Sequence, residues 1–419
     1  MKKIISILIL SLLLCGNVIA GTCKTPKNPK EKFVLAPEPV SYTRKSPTNR
    51  IEEVLSKRKT INVFRAWNDR INSEKYGLRW TGGRQETKTD KSFVVRELYW
   101  NYAYTNKSWY VKRYPNINKF LSKKNWGHDK EYGKTIATNL KNTDFLSYLQ
   151  NKIQEKEFKL TDGILLDWWH NRHQGSGGYS TKTVKKFRTE FVKQTREKFG
   201  KDFLIIGNVN WDKDTGTHNY INGVFMELYK KKKATGGYSC SQINKMDELL
   251  KFHDQNLQEP RIIAFEPWRI TKTPSKEIID KLEQEKFGKK ISNDAYKKFF
   301  KQGKKKYWAV HYRSSPENIK FAKLFTAMAM VIPENGYILY GDNNPDNPKG
   351  DHFHDFYDFY NTDLGKETSI GTEITEGLGF KMYEKGVIVY NYTKERYKIK
   401  FTNQKEVTID PLEGMFVEF

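Results

Sequence analysis

The sequence predicts an α/β protein: a (β/α)8 TIM barrel with a small C-terminal antiparallel β domain. Three observations predict it. Four short apolar runs each stop at a polar side chain near an aromatic one. Ile164-Leu165-Leu166 precedes Asp167 and Trp168, and Phe203-Leu204-Ile205-Ile206 precedes Asn208 and Trp211. Val224-Phe225-Met226 precedes Glu227 and Tyr229, and Ile262-Ile263-Ala264-Phe265 precedes Glu266 and Trp268. Runs without alternation fit strands buried on both faces, as in parallel sheets covered by helices. Helical periodicity fills most of the gaps between them. From Gly379 the texture changes to short strands separated by Gly, Asn, Lys and Pro.

Residues 1–20 read as a secretory signal peptide: Lys2 and Lys3, an apolar stretch over 4–14 too short to span a bilayer, and cleavage after Ala20. Residues 21–55 hold many Lys, Pro, Thr and Ser and read as a linker. The barrel is assigned to residues 56–365. Residues 60–67 predict its first strand, passing Arg65 and Trp67, residues 81–83 a loop, and residues 93–104 a second strand. Residues 109–112 read as a short extended piece. Phe145, Leu146, Leu149 and Ile153 predict a helix over 142–158, which delivers the chain into the Asp167 strand. The Gly-rich loop 174–178 follows that strand, where a lid would sit. Val184, Phe187, Phe191 and Val192 lie on one face of a helix over 181–199, closed by Gly200.

Residues 216–222 leave little room for a helix before the Glu227 strand. Next come a helix over 241–252, a strand over 261–266 and a charged, largely helical stretch over 274–302. Ser315 and Pro316 mark the start of a helix running to about Met330. It is apolar nearly all round and so should be buried. Residues 336–342 close the barrel count, ending at Asp342. The β domain, residues 366–419, has strands over 380–383, 387–391, 397–401, 407–409 and 415–419.

Lys and Arg exceed Asp and Glu by 25 in 419 residues, so the surface attracts polyanions. The lysines are spread along the chain and no nucleic-acid module is present, so no nucleic-acid partner is expected. After cleavage two cysteines remain, Cys23 and Cys240. Export permits a disulfide, but spacing does not pair them. Thr22 precedes Cys23 where a lipid acceptor usually has a small Gly, Ala or Ser, which makes a lipid anchor at Cys23 a minor alternative. No later run is long enough to be a transmembrane segment.

The ordered pieces Asp162-Gly163-Ile164-Leu165-Leu166-Asp167, Asn222-Gly223-Val224-Phe225-Met226-Glu227, Tyr360-Asn361-Thr362-Asp363-Leu364-Gly365 and Gly386-Val387-Ile388-Val389-Tyr390-Asn391 resemble glycoside-hydrolase-like (β/α)8 proteins. More broadly they are similar to bacterial glycosidase barrels of the retaining type. The resemblance spans roughly residues 60–419. It implies a barrel fold and a reaction class rather than a substrate, with Asp167 and Glu227 at the acidic positions. It requires no metal or cofactor.

Glycoside hydrolysis needs two carboxyl groups flanking the bond, one to protonate the leaving oxygen and one to attack the sugar or activate water. Asp167 and Glu227 are the expected pair, with Asp167 as nucleophile or base and Glu227 as acid, a split that could be reversed. Glu266 is a third catalytic candidate; a salt bridge to Arg269 or a plain strand-end charge explains it equally well. Trp168, Trp169, Trp211 and Trp268 are candidates to line sugar subsites, against the alternative of core packing. His170, Arg65, Asn208 and Asp342 complete the substrate-binding candidates. The expected function is an exported, periplasmic or secreted glycoside hydrolase acting on a polysaccharide or oligosaccharide, with charge favouring an anionic glycan. One alternative is a non-catalytic carbohydrate-binding barrel. The other is a metal-dependent phosphodiesterase, suggested by Asp167, His170 and His173 at a spacing of three and by an acidic-histidine patch at 351–355 that otherwise reads as a solvated loop.

Overall fold

The computed structural model describes residues 23–43, 49–66, 75–82, 86–126, 135–171, 178–230, 237–270, 284, 315–342, 352–354 and 356–419. The predicted fold class is the one observed. The eight barrel strands are β2 (Phe64–Arg65), β3 (Leu78–Thr81), β4 (Phe93–Glu97), β8 (Gly163–Leu166), β9 (Leu204–Asn208), β10 (Gly223–Leu228), β11 (Ile262–Pro267) and β12 (Asn335–Ile338). They form one sheet in that spatial order, each pair parallel. A parallel bridge between Val63 and Ile338 brings the two edges together.

Alternation along each strand sends one set of side chains inward and the other outward. Phe64, Trp80, Phe93, Leu165, Ile206 and Phe225 belong to the core inside the barrel. Ile164, Leu166, Ile205, Val224, Met226 and Ile263 join the larger layer between strands and helices. The turn pair that opens β8 is also an anchor. Buried Asp162 accepts the Val94 amide at 2.8 Å and the Arg50 guanidinium at 2.9 Å, tying helix α1 (Arg50–Ser56) to the barrel floor. Gly163 is required beside it, because a Cβ there would stand 1.9 Å from the Leu204 carbonyl oxygen.

Between β4 and β8 the chain builds a rim unit. A three-stranded antiparallel sheet, β5 (Tyr102–Tyr104), β7 (Thr135–Thr138) and β6 (Leu121–Asn125), stands beside helix α2 (Ser108–Arg113). Helices α3 (Thr143–Ile153) and α4 (Lys156–Lys159) return the chain to the sheet. Helices α5 (Thr181–Phe199), α6 (Cys240–Asn256) and α7 (Pro316–Val331) precede β9, β11 and β12. Ser180, Ser239 and Ser315 cap them, each accepting the backbone N–H three residues on. Two short antiparallel strands of two residues each follow, β13 (Gly341–Asp342) and β14 (Phe353–His354).

The C-terminal part holds a four-stranded antiparallel sheet, β15 (Thr372–Thr375), β16 (Leu378–Tyr383), β17 (Gly386–Asn391) and β20 (Glu413–Glu418). It faces a second sheet made of β1 (Glu31–Leu35), β18 (Arg396–Lys400) and β19 (Glu406–Ile409). Helix α7 packs against β20, β17 and β16, so it is covered by the barrel on one side and by this sheet on the other. No described helix is long and apolar enough to cross a membrane.

Several local expectations change. The stretch read as a linker supplies β1, which pairs in parallel with β18, and α1. β1 leaves most of its side chains exposed, Phe33 and Leu35 among them, and takes its hydrogen bonds from a distant partner. Cys23 is bonded to Cys240. Residues 93–104 split into β4 and β5, β3 was not foreseen, and residues 109–112 are helical rather than extended. Trp67, the 274–302 stretch apart from Gln284, and most of the 174–178 loop lie outside the described residues.

Candidate active site

The inward alternation that builds the barrel core runs one step further at the carboxyl ends of five neighbouring strands. Val95 is followed two residues on by Glu97, Leu165 by Asp167, Ile206 by Asn208, Phe225 by Glu227 and Ala264 by Glu266. Each lies on the same face as the apolar residue below it. Four carboxyl groups and one amide therefore cap the core as a single polar layer at the barrel mouth. This is the end at which barrels of this kind carry chemistry.

Asn208 sits at the centre. Its Nδ2 donates to Asp167 Oδ1 at 2.9 Å and to Glu227 Oε2 at 2.9 Å. Sharing one nitrogen at these distances keeps the two acceptor oxygens no more than about 5.8 Å apart. Asp167 Oδ1 also accepts the Trp168 backbone N–H at 2.8 Å, and the Asp167 carbonyl accepts the Trp100 indole N–H at 2.7 Å. Trp168 adopts φ +58°, a left-handed conformation that bulky residues rarely take. The turn after β8 is thus held by several contacts at once, and those contacts fix the Asp167 carboxyl beside Asn208.

Glu266 is fully buried and stands in register with Glu227 on the neighbouring strand. His352 Nδ1 contacts both of its carboxyl oxygens at 2.9 Å. The His352 ring lies against Trp80 and Phe225, at 5.7 and 5.6 Å, so it closes the core from above. His352 is therefore a buried partner of Glu266 rather than part of a solvated loop. Glu227, Glu266 and His352 present donor atoms all within 4.8 Å of one another. A divalent cation could use them; the Glu266–His352 contact and the register of Glu227 with Glu266 also bring them together.

Glu97 is the residue that local reading of the sequence passes over. It is 6 % exposed and hydrogen-bonded to Tyr99. Burial first, and the Asp167 charge second, push its carboxyl up to about 8. The Tyr99 hydrogen bond, then Arg113 and His352, oppose that shift without cancelling it. At neutral pH Glu97 is a protonated acid beside Asp167.

The remaining candidates separate into two groups. Trp168 is half-buried, edge-on to Trp126 at 4.8 Å, and His170 packs at 5.6 Å from it. Trp211 and Trp268 are half-buried on the β9 and β11 side; Trp211 donates its indole N–H to the Tyr229 carbonyl at 2.9 Å. Trp169 is fully buried in the layer between strands and helices, where its indole N–H reaches Thr217 at 3.0 Å. Its ring occupies the space over Gly207, where a Cβ would stand 2.5 Å away. It cannot meet a sugar. Arg65 points away from the barrel axis, since Phe64 and Ala66 on either side of it face inward, and pairs with Glu86. The Asp342 and His354 side chains and all of His173 lie outside what is described.

No protein-family model and no curated protein matches the sequence. Among solved structures, the barrel is similar to the glycoside hydrolase domain of PelA from Pseudomonas aeruginosa, with 11% identity and a TM-score of 0.37 over 54% of this chain and 92% of that one. It is also similar to Ega3 of Aspergillus fumigatus, solved in complex with galactosamine, with 10% identity and a TM-score of 0.36 over 51% and 79%. The type III pullulan hydrolase from Thermococcus kodakarensis matches with 11% identity and a TM-score of 0.37 over 94% and 82%. All three likenesses are of architecture.

Proposed function

We propose that the protein is a glycoside hydrolase that cleaves O-glycosidic bonds of a polysaccharide or oligosaccharide with retention of configuration. The observation that carries this reading is the Asn208 amide, which joins the Asp167 and Glu227 carboxyls across the barrel mouth. An oxygen separation of no more than about 5.8 Å suits direct attack by a carboxylate, about 5–5.5 Å, and is short of the roughly 6.5–9.5 Å needed to place a water between the groups. Asp167, with two N–H donors on one oxygen, suits the ionised nucleophile. Glu227, beside Glu266, suits the group that carries a proton.

In the first step an Asp167 oxygen bonds to the anomeric carbon as the glycosidic C–O bond breaks, and Glu227 gives its proton to the departing oxygen. In the second, Glu227 takes a proton from water, the hydroxide bonds to the anomeric carbon, and the ester to Asp167 is released. Asn208 fixes both carboxyls in the ground state. Protonated Glu97 avoids a further buried negative charge next to the nucleophile.

Two further parts of the reading are proposed with it. Export follows from the N-terminal signal pattern, and the Cys23–Cys240 bond is of the kind made in oxidising compartments. The basic surface attracts an anionic polymer, while the ionised Asp167 disfavours an anionic group on the reacting sugar beside it.

Reducing-end release from a panel of neutral, anionic and cationic glycans tests the reading. Wild type cleaves at least one, while Asp167→Asn and Glu227→Gln bind it without turnover. A wild type that binds a glycan but never cleaves it supports a non-catalytic barrel instead. The donor set of Glu227, Glu266 and His352 sustains a second reading, metal-dependent phosphodiester hydrolysis. Phosphodiesterase activity lost to a chelator and restored by a divalent cation would select it.

A further inference from the structure

The rim unit between β4 and β8 carries a cluster of aromatic side chains, and one member breaks the pattern. Tyr99, Tyr104 and Tyr110 are buried, yet Trp109 on α2 is 45% exposed. Its ring is held by all three of them, with centroids 6.2, 5.6 and 5.7 Å away. The Arg113 guanidinium lies 5.8 Å from it. The support is itself fixed: the Tyr114 hydroxyl accepts the Tyr99 backbone N–H at 3.2 Å, and the Tyr110 hydroxyl donates to the Tyr102 carbonyl at 3.2 Å. An indole left in water but propped from beneath has little conformational entropy to lose on binding.

Three links place this ring at the rim of the mouth. Tyr99, in ring contact with Trp109, is hydrogen-bonded to Glu97 in the polar layer. Arg113, beside the Trp109 ring, acts electrostatically on Glu97. Arg113 Nη1 also donates to the Gly82 carbonyl at 2.8 Å, which pins α2 to the carboxyl end of β3. Trp109 therefore stands on the same end of the barrel as Asp167 and Glu227, on the side of β3 and β4.

We propose that Trp109 is a sugar-stacking platform. It takes the C–H face of a pyranose unit of the glycan, outside the unit held at the carboxyl layer. This rests on the glycosidase reading. The ligand class follows from the surface: a flat, preorganised indole suits a ring with axial hydrogens.

The test uses the full mature chain and the panel glycan that wild type cleaves, as oligosaccharides of increasing length. For the longest, Trp109→Ala should raise KM roughly ten-fold with kcat unchanged, the scale of one lost aromatic contact. The effect should shrink with chain length, and Trp109→Phe should keep most of the wild-type KM. Val111→Ala, an exposed change on the same helix, should leave KM alone. Melting temperatures of the variants separate lost binding from lost folding. An unchanged KM for long substrates in a folded Trp109→Ala overturns the proposal; if Asp167→Asn is then inactive, the glycosidase reading stands without it. A wild type that neither cleaves nor binds any panel glycan overturns both.

Discussion

Replacing Glu97 by glutamine should make the protein more stable, and by an amount that depends on pH. The folded protein holds the Glu97 proton up to about pH 8, whereas the unfolded chain releases it near 4.5. The contribution of this proton is fully present below about pH 4.5 and is lost as pH rises through about 8. At pH 7 the two states differ by about 2.5 pH units, which at 1.36 kcal/mol per unit is about 3 kcal/mol against folding. Glutamine has the same shape and no charge to remove from water, so Glu97→Gln should recover most of that, raising the melting temperature by roughly 5 °C at pH 7. Thermal unfolding of wild type and variant at pH 4, 6, 7 and 8 is the assay. The two should coincide near pH 4 and diverge steadily above it. A constant difference, or a variant less stable than wild type at pH 7, refutes the claim that the mouth holds a protonated acid. The pattern fits a site where stability is given up to position a group.

Four other outcomes follow from the same geometry. Asn208→Ala removes the bridge between the two carboxyls and should lower kcat about 100-fold in steady-state assays, with a smaller effect on KM, because the groups lose their mutual positioning. His253 is fully buried against His218, with Nδ1 and Nε2 3.0 Å apart, and burial followed by the neighbouring His218 pushes it down to about 3 from 6.5. Stability should therefore fall as pH drops from about 6.5 toward 3, by up to about 5 kcal/mol from this group, and His253→Gln should flatten that limb of a pH–melting curve. Cys23→Ser opens a bond whose partners are 217 residues apart and should cost about 5 kcal/mol in chemical denaturation. The mature wild type, denatured without reductant, should show no free thiol in a colorimetric assay. A thiol at Cys240 together with a lipid mass on Cys23 would contradict the pairing.

The barrel was legible because its signal is local. A strand buried on both faces shows as an apolar run, and a polar residue ending that run lies on a predictable face. That is how Asp167, Asn208, Glu227 and Glu266 were found. Glu97 obeys the same alternation through Phe93 and Val95, but residues 93–104 read as one strand, which placed its end at Tyr104 instead of Glu97. β3 was hidden because Arg79 looks like surface; in the fold it donates to Ser92, Glu86 and Thr87 outside the barrel. His352 was visible only as part of the 351–355 acidic-histidine patch; its burial against Glu266, 86 residues away in sequence, was not. β1 was read as linker for the same reason: its partner strand begins at Arg396. Trp169 and Trp168 look equivalent in sequence, and only the space above Gly207 makes the first a core residue.

Proton NMR of the first product released from the cleaved glycan addresses the Asp167–Asn208–Glu227 arrangement most directly. With the two carboxyl groups joined through one Asn208 nitrogen, the anomeric signal that appears before mutarotation should match the configuration of the bond that was cut. The opposite anomer appearing first would mean that a water fits between the two groups, and would contradict the account of Asp167 as the attacking residue.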